Sequence, residues 1–307
     1  MISIIVPIYN GLKYFDSFIG SYMAMSGKES ILHEVIIVDN ASIDNFKLKL
    51  LEAIADKELK NWHYFSYTEK QSSYAARNYG VAVSKGDILA FVDIDCVFTD
   101  NWLIEVDKYQ KNRDLYVAGD VKLYSQDARP NIFEAYDFTA SFQLERYKKR
   151  KVGITANLVV PKEVYLKVDG FDEVVSGGDI AFCRKCQACH FTYIFDSNLL
   201  VTHPARKSYT DVVQKMKRVS IGQAKYIKSK KSTYVLFSVL KNIIGMIFPL
   251  RQIIDIKVAF KVYPFFFWLK YSVLNVWLGW VARFYIIINI FRSVSYTHLT
   301  LPTILRV

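Results

Sequence analysis

Two hydrophobic periods alternate along the first hundred residues. Apolar runs at residues 3–10, 34–39, 62–66 and 86–96, each ending in turn-forming or acidic residues, read as buried strands. Between them, apolar positions at Leu12, Phe15, Phe18, Ile19 and Tyr22 recur at helical spacing. A second amphipathic segment follows Asn40 to about Lys57, and a third helix is predicted over residues 74–83, closed by Gly86. Strand alternating with helix four times over predicts an α/β fold, with a parallel sheet covered on both faces. Ligands collect at the carboxyl ends of the strands in such sheets, and Asp39, Asp93 and Asp95 all lie at such ends.

The chemistry of those acids follows from their spacing. If the extended geometry of residues 86–96 persists through Asp95, the side chains of Asp93 and Asp95 project to one side. Two neighbouring carboxylates repel unless a proton or cation intervenes. A hard divalent ion such as Mg²⁺, held by one or two carboxylates while it bridges substrate phosphates, would satisfy them and neutralise a departing diphosphate. Asp39 taken alone reads equally as a helix cap or turn residue.

Composition narrows the setting. At 307 residues, 52% of them hydrophobic, the chain can build one large domain or two modest ones and is not a disordered sequence. No charged-then-apolar leader precedes the first strand, so residence in the cytoplasm is expected. Cys183, Cys186 and Cys189 fall within seven residues, unlike a disulfide framework, and with Cys96 they are expected to be reduced. Three cysteines at i, i+3 and i+6 drift apart along a continuous helix, which favours small buried residues over a metal cluster with His190. The net charge of +11 is unevenly placed: residues 1–200 carry −4, whereas residues 201–292 carry +14, with only Asp211 and Asp255 acidic. A final third that is both basic and apolar points to an anionic membrane surface rather than nucleic acid.

Four motifs in order, Ile4-Ile-Val-Pro-Ile-Tyr-Asn10, Ile37-Val-Asp-Asn-Ala-Ser42, Tyr74-Ala-Ala-Arg-Asn78 and Phe91-Val-Asp-Ile-Asp95, resemble the successive signatures of family 2 glycosyltransferases of the GT-A fold. The resemblance implies a nucleotide-sugar domain in which Pro7 and Tyr9 line the base pocket and Asp39 meets the base or ribose. It also implies Arg77 and Asp93 near the nucleotide, and Asp95 on a divalent metal, Mg²⁺ or Mn²⁺, at the diphosphate. Arg77 has a second reading as a helix residue that pairs a strand-end acid. Residues 154–161, 168–173 and 176–179 are similar to the acceptor half of the same family, where a carboxylate at the start of a helix is the general base. The match falls on Asp179, whose other reading is a cap on the helix over residues 180–188. The family frequently has an acid pair there, and this chain has Gly178-Asp179. His203, after strand-like residues 191–195, falls where many members place a metal-coordinating or diphosphate-binding histidine, and Arg206 is a candidate for phosphate. The basic cluster at residues 146–151 reads as a solvated face or as a hold on an anionic acceptor or lipid headgroup.

The resulting organisation is a GT-A catalytic domain over residues 1–207, with a nucleotide-sugar half (1–98) and an acceptor half (99–207). A basic, apolar helical region over 208–292 follows. Its apolar stretches at 233–250 and 262–291 approach the twenty residues that a span needs, interrupted by Lys241, Lys270 and Arg283. Interfacial helices and full spans are both compatible with that pattern, with Phe265, Phe266, Phe267, Trp268, Trp277 and Trp280 suited to a headgroup boundary. Residues 293–307 look like the translation of a sequencing adapter and are set aside as a non-native tail. The expected function is inverting, metal-dependent transfer from a nucleotide sugar, UDP-linked first, to a hydroxyl acceptor. The acceptor would be a lipid-linked or surface-polysaccharide precursor at the cytoplasmic face of the inner membrane. A nucleotidyl or phosphoryl transferase would use the same acids but wants a phosphate grip after the first strand, where residues 10–14 offer only Lys13 and no Gly-rich loop. A membrane-tethered binding module without catalysis would lack the base.

Overall fold

The computed structural model describes residues 1–57, 59–141, 144–260 and 263–292; the adapter-like tail lies outside them. The chain forms two compact units, Met1–Val212 and Val213–Val307. The first opens with β1 (Ile2–Ile8), α1 (Phe15–Ala24), β2 (His33–Asp39), α2 (Phe46–Lys57), β3 (Trp62–Ser66), α3 (Ser73–Val83) and β4 (Ile88–Val92). It continues through β5 (Val97–Phe98), α4 (Trp102–Asp107), β6 (Leu115–Tyr124), α5 (Ile132–Ala140), α6 (Leu144–Lys149), β7 (Asn157–Pro161), α7 (Lys162–Lys167), α8 (Gly178–Ala188) and β8 (Thr192–Pro204). The strands form one eight-stranded sheet in the order β3-β2-β1-β4-β7-β6-β8-β5.

The half with order β3-β2-β1-β4 is parallel, as the alternation of strand and helix predicts. Beyond it β7 runs antiparallel to both β4 and β6, while β6 and β8 are parallel. Side-chain alternation sorts the strands onto two cores. Ile2, Ile4, Val6 and Ile8 of β1 pack with Phe15, Phe18 and Ile19 of α1, Phe46 of α2 and Trp102 of α4. On the other face, Ile5 packs with Tyr74 and Val81 of α3, Tyr165 of α7 and Phe182 of α8. Gly80 lets α3 lie close on the sheet: a Cβ there would stand 2.7 Å from Ile5 and 3.2 Å from Val38.

Two irregularities position the site. The chain leaves β1 outward to β2 and β3, then returns to β4 on the other side, so the strand order reverses at β1/β4. The β1/β4 register ends at Ile5↔Phe91, whereas β1/β2 continues to Ile8↔Asp39. Pro7, which has no N–H to donate, lies past that split. The second is a bulge between Gly119 and Asp120 of β6, where the β8 partner jumps from Asp196 to Leu200. Asn157 fills it: its Nδ2 donates to Asp120 O (2.9 Å) and Leu199 O (2.8 Å), and its Oδ1 accepts from Trp102 Nε1 (3.0 Å).

The second unit is helical. It contains most of α9 (Tyr209–Lys228), then α10 (Ser232–Ile247), α11 (Leu250–Phe260) and α12 (Phe265–Phe291). Pro249 separates α10 from α11, and the residue before it, Phe248, is pushed out of helical geometry (φ −118°, ψ 88°). By length and composition, two helical stretches, Ser232–Lys257 and Phe265–Phe291, are long and apolar enough to cross a membrane. Inside the unit, α9 docks on α12 through Ala224, Ile227 and Ile290, and Asn289 Nδ2 donates to Ser220 Oγ at 3.0 Å.

Candidate active site

The site grows from the end of β4. The strand stops at Val92, so the extended geometry expected through Asp95 does not persist. Cys96 N donates to Asp93 O at 3.0 Å, closing a turn over residues 93–96. The turn sends the two carboxylates to different partners. Asp93 pairs with the NH2 of Arg77, a buried guanidinium on α3. Asp95 Oδ2 lies 3.0 Å from His203 Nε2. Short strand β5 explains the second pairing: Val97 pairs with Thr202 of β8 in antiparallel register, which brings the next residue of β8, His203, to the Asp95 turn.

Asp95 Oδ1 is buried and has no hydrogen-bond partner among the described residues. Burial alone would raise the Asp95 carboxyl, but the charge and hydrogen bond of His203, with Arg206 farther off, hold it below its ordinary value. The converse applies to His203, where burial disfavours the cation and Asp95 overrides it, so its pKa is raised. His203 Nδ1 contacts Pro204 O at 2.7 Å, and the carbonyl can only accept, so Nδ1 carries hydrogen and Nε2 is the nitrogen that faces Asp95. Arg206, a phosphate candidate in the sequence, is committed to Asp137 of α5 through NH1 at 3.0 and 3.2 Å.

These residues fit a divalent cation on one observation: a buried carboxylate oxygen without a donor, beside an imidazole nitrogen. Among the described residues no three His, Cys, Asp or Glu side chains converge. Asp95 Oδ1, together with His203 Nε2 once an incoming cation displaces its proton, would thus hold an ion such as Mg²⁺ or Mn²⁺ that takes its remaining ligands from water and substrate phosphate.

The other expected residues line the same carboxyl edge. Asp39 ends β2 with Oδ1 accepting from Ser42 N (2.8 Å) and Oδ2 from the Tyr64 hydroxyl (2.8 Å), so its contact with a base or ribose would use the lone pairs that remain. Asn10, in left-handed geometry (φ 51°), crosses to the loop after β2 through Ser42 Oγ and Ile43 N. Tyr9 is 49% exposed beside buried Pro7. Gly11 lies against Ile94, between the two aspartates.

Asp179 stands in the first turn of α8, but it is not the cap; that position is Gly177 in left-handed geometry (φ 86°). Its Oδ1 accepts from Ile180 N (2.8 Å) and the Tyr74 hydroxyl (3.2 Å). Burial raises the Asp179 carboxyl, against the opposing effects of the Ile180 N–H, Arg77 and Tyr74. Arg77 lies over the Tyr74 ring, 5.5 Å from its centroid. Asp93, Arg77, Tyr74 and Asp179 therefore form one continuous series of contacts. Arg77 makes the pairing that its second sequence reading anticipates.

Tyr74 and Asn78 escaped sequence reasoning although they sit in a quoted motif beside Arg77. Tyr74, Arg77 and Asn78, spaced i, i+3 and i+4, share one face of α3. Asn78 exchanges hydrogen bonds with the Phe171 backbone (2.9 and 3.2 Å), holding the loop that leads to Asp179. Of the cysteines, Cys183 and Cys186 are buried and Cys189 is exposed. In the basic cluster, Lys148 pairs with Glu145 (2.7 Å) and caps the Phe195 ring, while Arg146, Lys149, Arg150 and Lys151 are exposed.

The chain is similar to known proteins. The chain is 29% identical over 224 residues to glycosyltransferase AglE of Haloferax volcanii, covering 72% of each chain. It is 27% identical over 187 residues to an uncharacterised glycosyltransferase, RT0329, of Rickettsia typhi, where it spans about half of the relative's length (54%). Among solved structures, the mannosyltransferase PcManGT of Pyrobaculum calidifontis, in complex with GDP-Man and Mn²⁺, aligns with a TM-score of 0.63 at 14% identity over 94% of this chain and 86% of that one. S. aureus TarS 1-349 with UDP-GlcNAc aligns with a TM-score of 0.53 at 17% identity over 94% and 89%. The fold is GT-A. The family described as Glycosyl transferase family 2 matches residues 3–173, more than half of the chain, and the protein belongs to that family of glycosyltransferases.

Proposed function

We propose that this glycosyltransferase moves a sugar from a nucleoside-diphosphate donor, UDP-linked in the first instance, to a hydroxyl acceptor with inversion. The observation that carries the reading is Asp95 Oδ1, a buried carboxylate oxygen with no donor at the carboxyl end of β4, flanked by His203. A divalent ion bound there would supply positive charge to the leaving diphosphate. Pro7, Tyr9 and Asp39 line the base and ribose side. Arg77 acts through Asp93, fixing the turn rather than gripping phosphate itself. The acceptor oxygen bonds to the anomeric carbon as the bond to the diphosphate oxygen breaks. The hydroxyl proton passes to Asp179, and the electron pair leaves with the nucleoside diphosphate. One displacement from the face opposite the leaving group inverts the centre. GDP-Man and UDP-GlcNAc in the two solved relatives support a donor of this class.

The acceptor we assign is a lipid-linked or surface-polysaccharide precursor, met at the cytoplasmic face of the inner membrane. The second unit supports this: Leu236, Phe237, Ile247, Phe266 and Val273 are exposed on helices of a strongly basic region. The test is a panel of UDP-, GDP- and dTDP-sugars assayed for metal-dependent turnover, with Asp95→Ala and Asp179→Asn beside wild type. Asp95→Ala loses metal stimulation, and Asp179→Asn loses transfer while keeping donor affinity. A wild type indifferent to nucleotide and metal refutes the reading.

A further inference from the structure

The position where the family frequently has a second acid is Gly178 here, and the structure shows what takes its space. A Cβ on Gly178 would stand 2.9 Å from three ring atoms of Tyr74. The absent side chain is what lets the tyrosine ring lie against the start of α8 and reach Asp179.

We propose that Tyr74 is a positioning residue for the general base: its hydroxyl ties down Asp179 Oδ1, so that Oδ2 alone is presented to the acceptor. The proposal rests on the reading of Asp179 as that base. Both donors to Asp179, the Tyr74 hydroxyl and Ile180 N, converge on Oδ1, and Oδ2 accepts from none of the described residues. Two bonds to one oxygen fix the carboxylate plane and leave the second oxygen for a proton in transit.

Tyr74 is itself rigidly placed. It is 7% exposed, its ring meets Phe171, and its backbone lies in the first turn of α3, where Ser72 Oγ accepts from Tyr74 N (3.3 Å) and donates to Val174 O (3.3 Å). Burial and the Asp179 charge raise the phenol, so the hydroxyl remains a donor throughout the working range. The charged and titratable groups that face Asp179 are Tyr74 and Arg77 on α3, Asp93 on the turn after β4, and Cys183 one turn along α8. Of these only Tyr74 touches it.

The test is Tyr74→Phe in the full chain, which keeps the ring against Gly178 and Arg77 and removes one hydroxyl. Once the donor has been identified, kcat is expected to fall about tenfold, because a hydrogen bond to a charged group is lost, while donor KM stays within twofold. The acid limb of kcat/KM moves to higher pH, since a bond that favours the carboxylate is gone. Unchanged kcat and acid limb overturn the proposal, as does a fall in kcat that tracks a lower Tm without moving the limb. Should Tyr74→Phe not fold, Gly178→Ala carries the same test by pushing the ring away with its hydroxyl intact; wild-type kcat there also overturns it. Asp179→Asn separates the two ideas. Retained transfer in that variant refutes the base itself, whereas lost transfer beside an unaffected Tyr74→Phe refutes only the tyrosine's role.

Discussion

Asn157 is where the sheet's register, and through it the position of His203, is most exposed to a single substitution. Its side chain is fully buried and makes three hydrogen bonds, to Trp102 Nε1, Asp120 O and Leu199 O. Asn157→Leu keeps the number and branching of heavy atoms while adding some volume, so beyond that crowding the effect is to strand one indole N–H and two carbonyls. Each buried polar group without a partner costs about 1–3 kcal/mol; the carbonyls retain a second lone pair, so the low end applies, roughly 3 kcal/mol in all. That is a large share of a typical stability of about 5–15 kcal/mol. Urea unfolding of the full protein in a membrane mimetic, followed by tryptophan fluorescence, reads it directly. With m of about 1–3 kcal/mol/M, the midpoint drops by about 1–3 M. Asn157→Asp keeps the acceptor for Trp102 but sets a carboxylate oxygen against two carbonyls, and is expected to cost at least as much. A midpoint within about 0.3 M of wild type for the leucine variant, roughly 0.5 kcal/mol on the same slope, refutes the argument that Asn157 closes the bulge.

Other consequences are equally direct. Because burial raises Asp179 and the base works only when ionised, the acid limb of kcat/KM lies above the ordinary carboxylate range, with activity rising as pH rises through it; a limb at or below that range counts against the assignment. Gly80→Ala forces a Cβ to within 2.7 Å of Ile5 and is expected to cost about 1–3 kcal/mol by overpacking, measured as a lower unfolding midpoint; a neutral result means that α3 is less tightly seated than its distances imply. Flotation with vesicles should show stronger binding to anionic than to zwitterionic lipid, weakened by salt, because residues 201–292 carry +14; equal binding to both removes the electrostatic part of the membrane reading.

The parallel half of the fold was legible because its signals are local. Strand runs at β1, β2 and β4 are apolar on both faces and end at Asn10, Asp39 and Asp93, and β3 is bounded in the structure as the sequence predicts. The other half depends on pairings that no local pattern encodes. Two-residue β5 is too short to register as a strand, yet its pairing with Thr202 carries His203 to Asp95. Asp93 and Asp95 fared differently for the same reason. Their spacing suggested one shared ligand on an extended chain, but Cys96 N closes a turn on Asp93 O and the two acids part, one to Arg77 and one to His203. The strand-like stretch at residues 191–195 covers only the first part of β8, which runs on to Pro204, because the bulge opposite Gly119 interrupts the hydrophobic alternation.

Why Asp93 and Asp179 come to be joined through one helix follows from strand direction. β1, β2 and β4 are parallel, so Tyr9, Asp39 and the Asp93 turn emerge at one edge. β7 is antiparallel to β4 and ends at the opposite edge, with Pro161 against Ile88. The chain must therefore travel back before it can contribute to the site, and it does so through α7 and the loop over residues 168–177. That return path needs something to stop it at the right place. α3 does this from one short face: Asn78 holds Phe171, the Ser72 cap holds Val174, Tyr74 meets Asp179, and Arg77 turns the other way to Asp93. The motif over residues 74–78 is accordingly a clamp between the Asp93 turn and Asp179, and on the roles proposed for those acids its residues would act on catalysis through the carboxylates they hold.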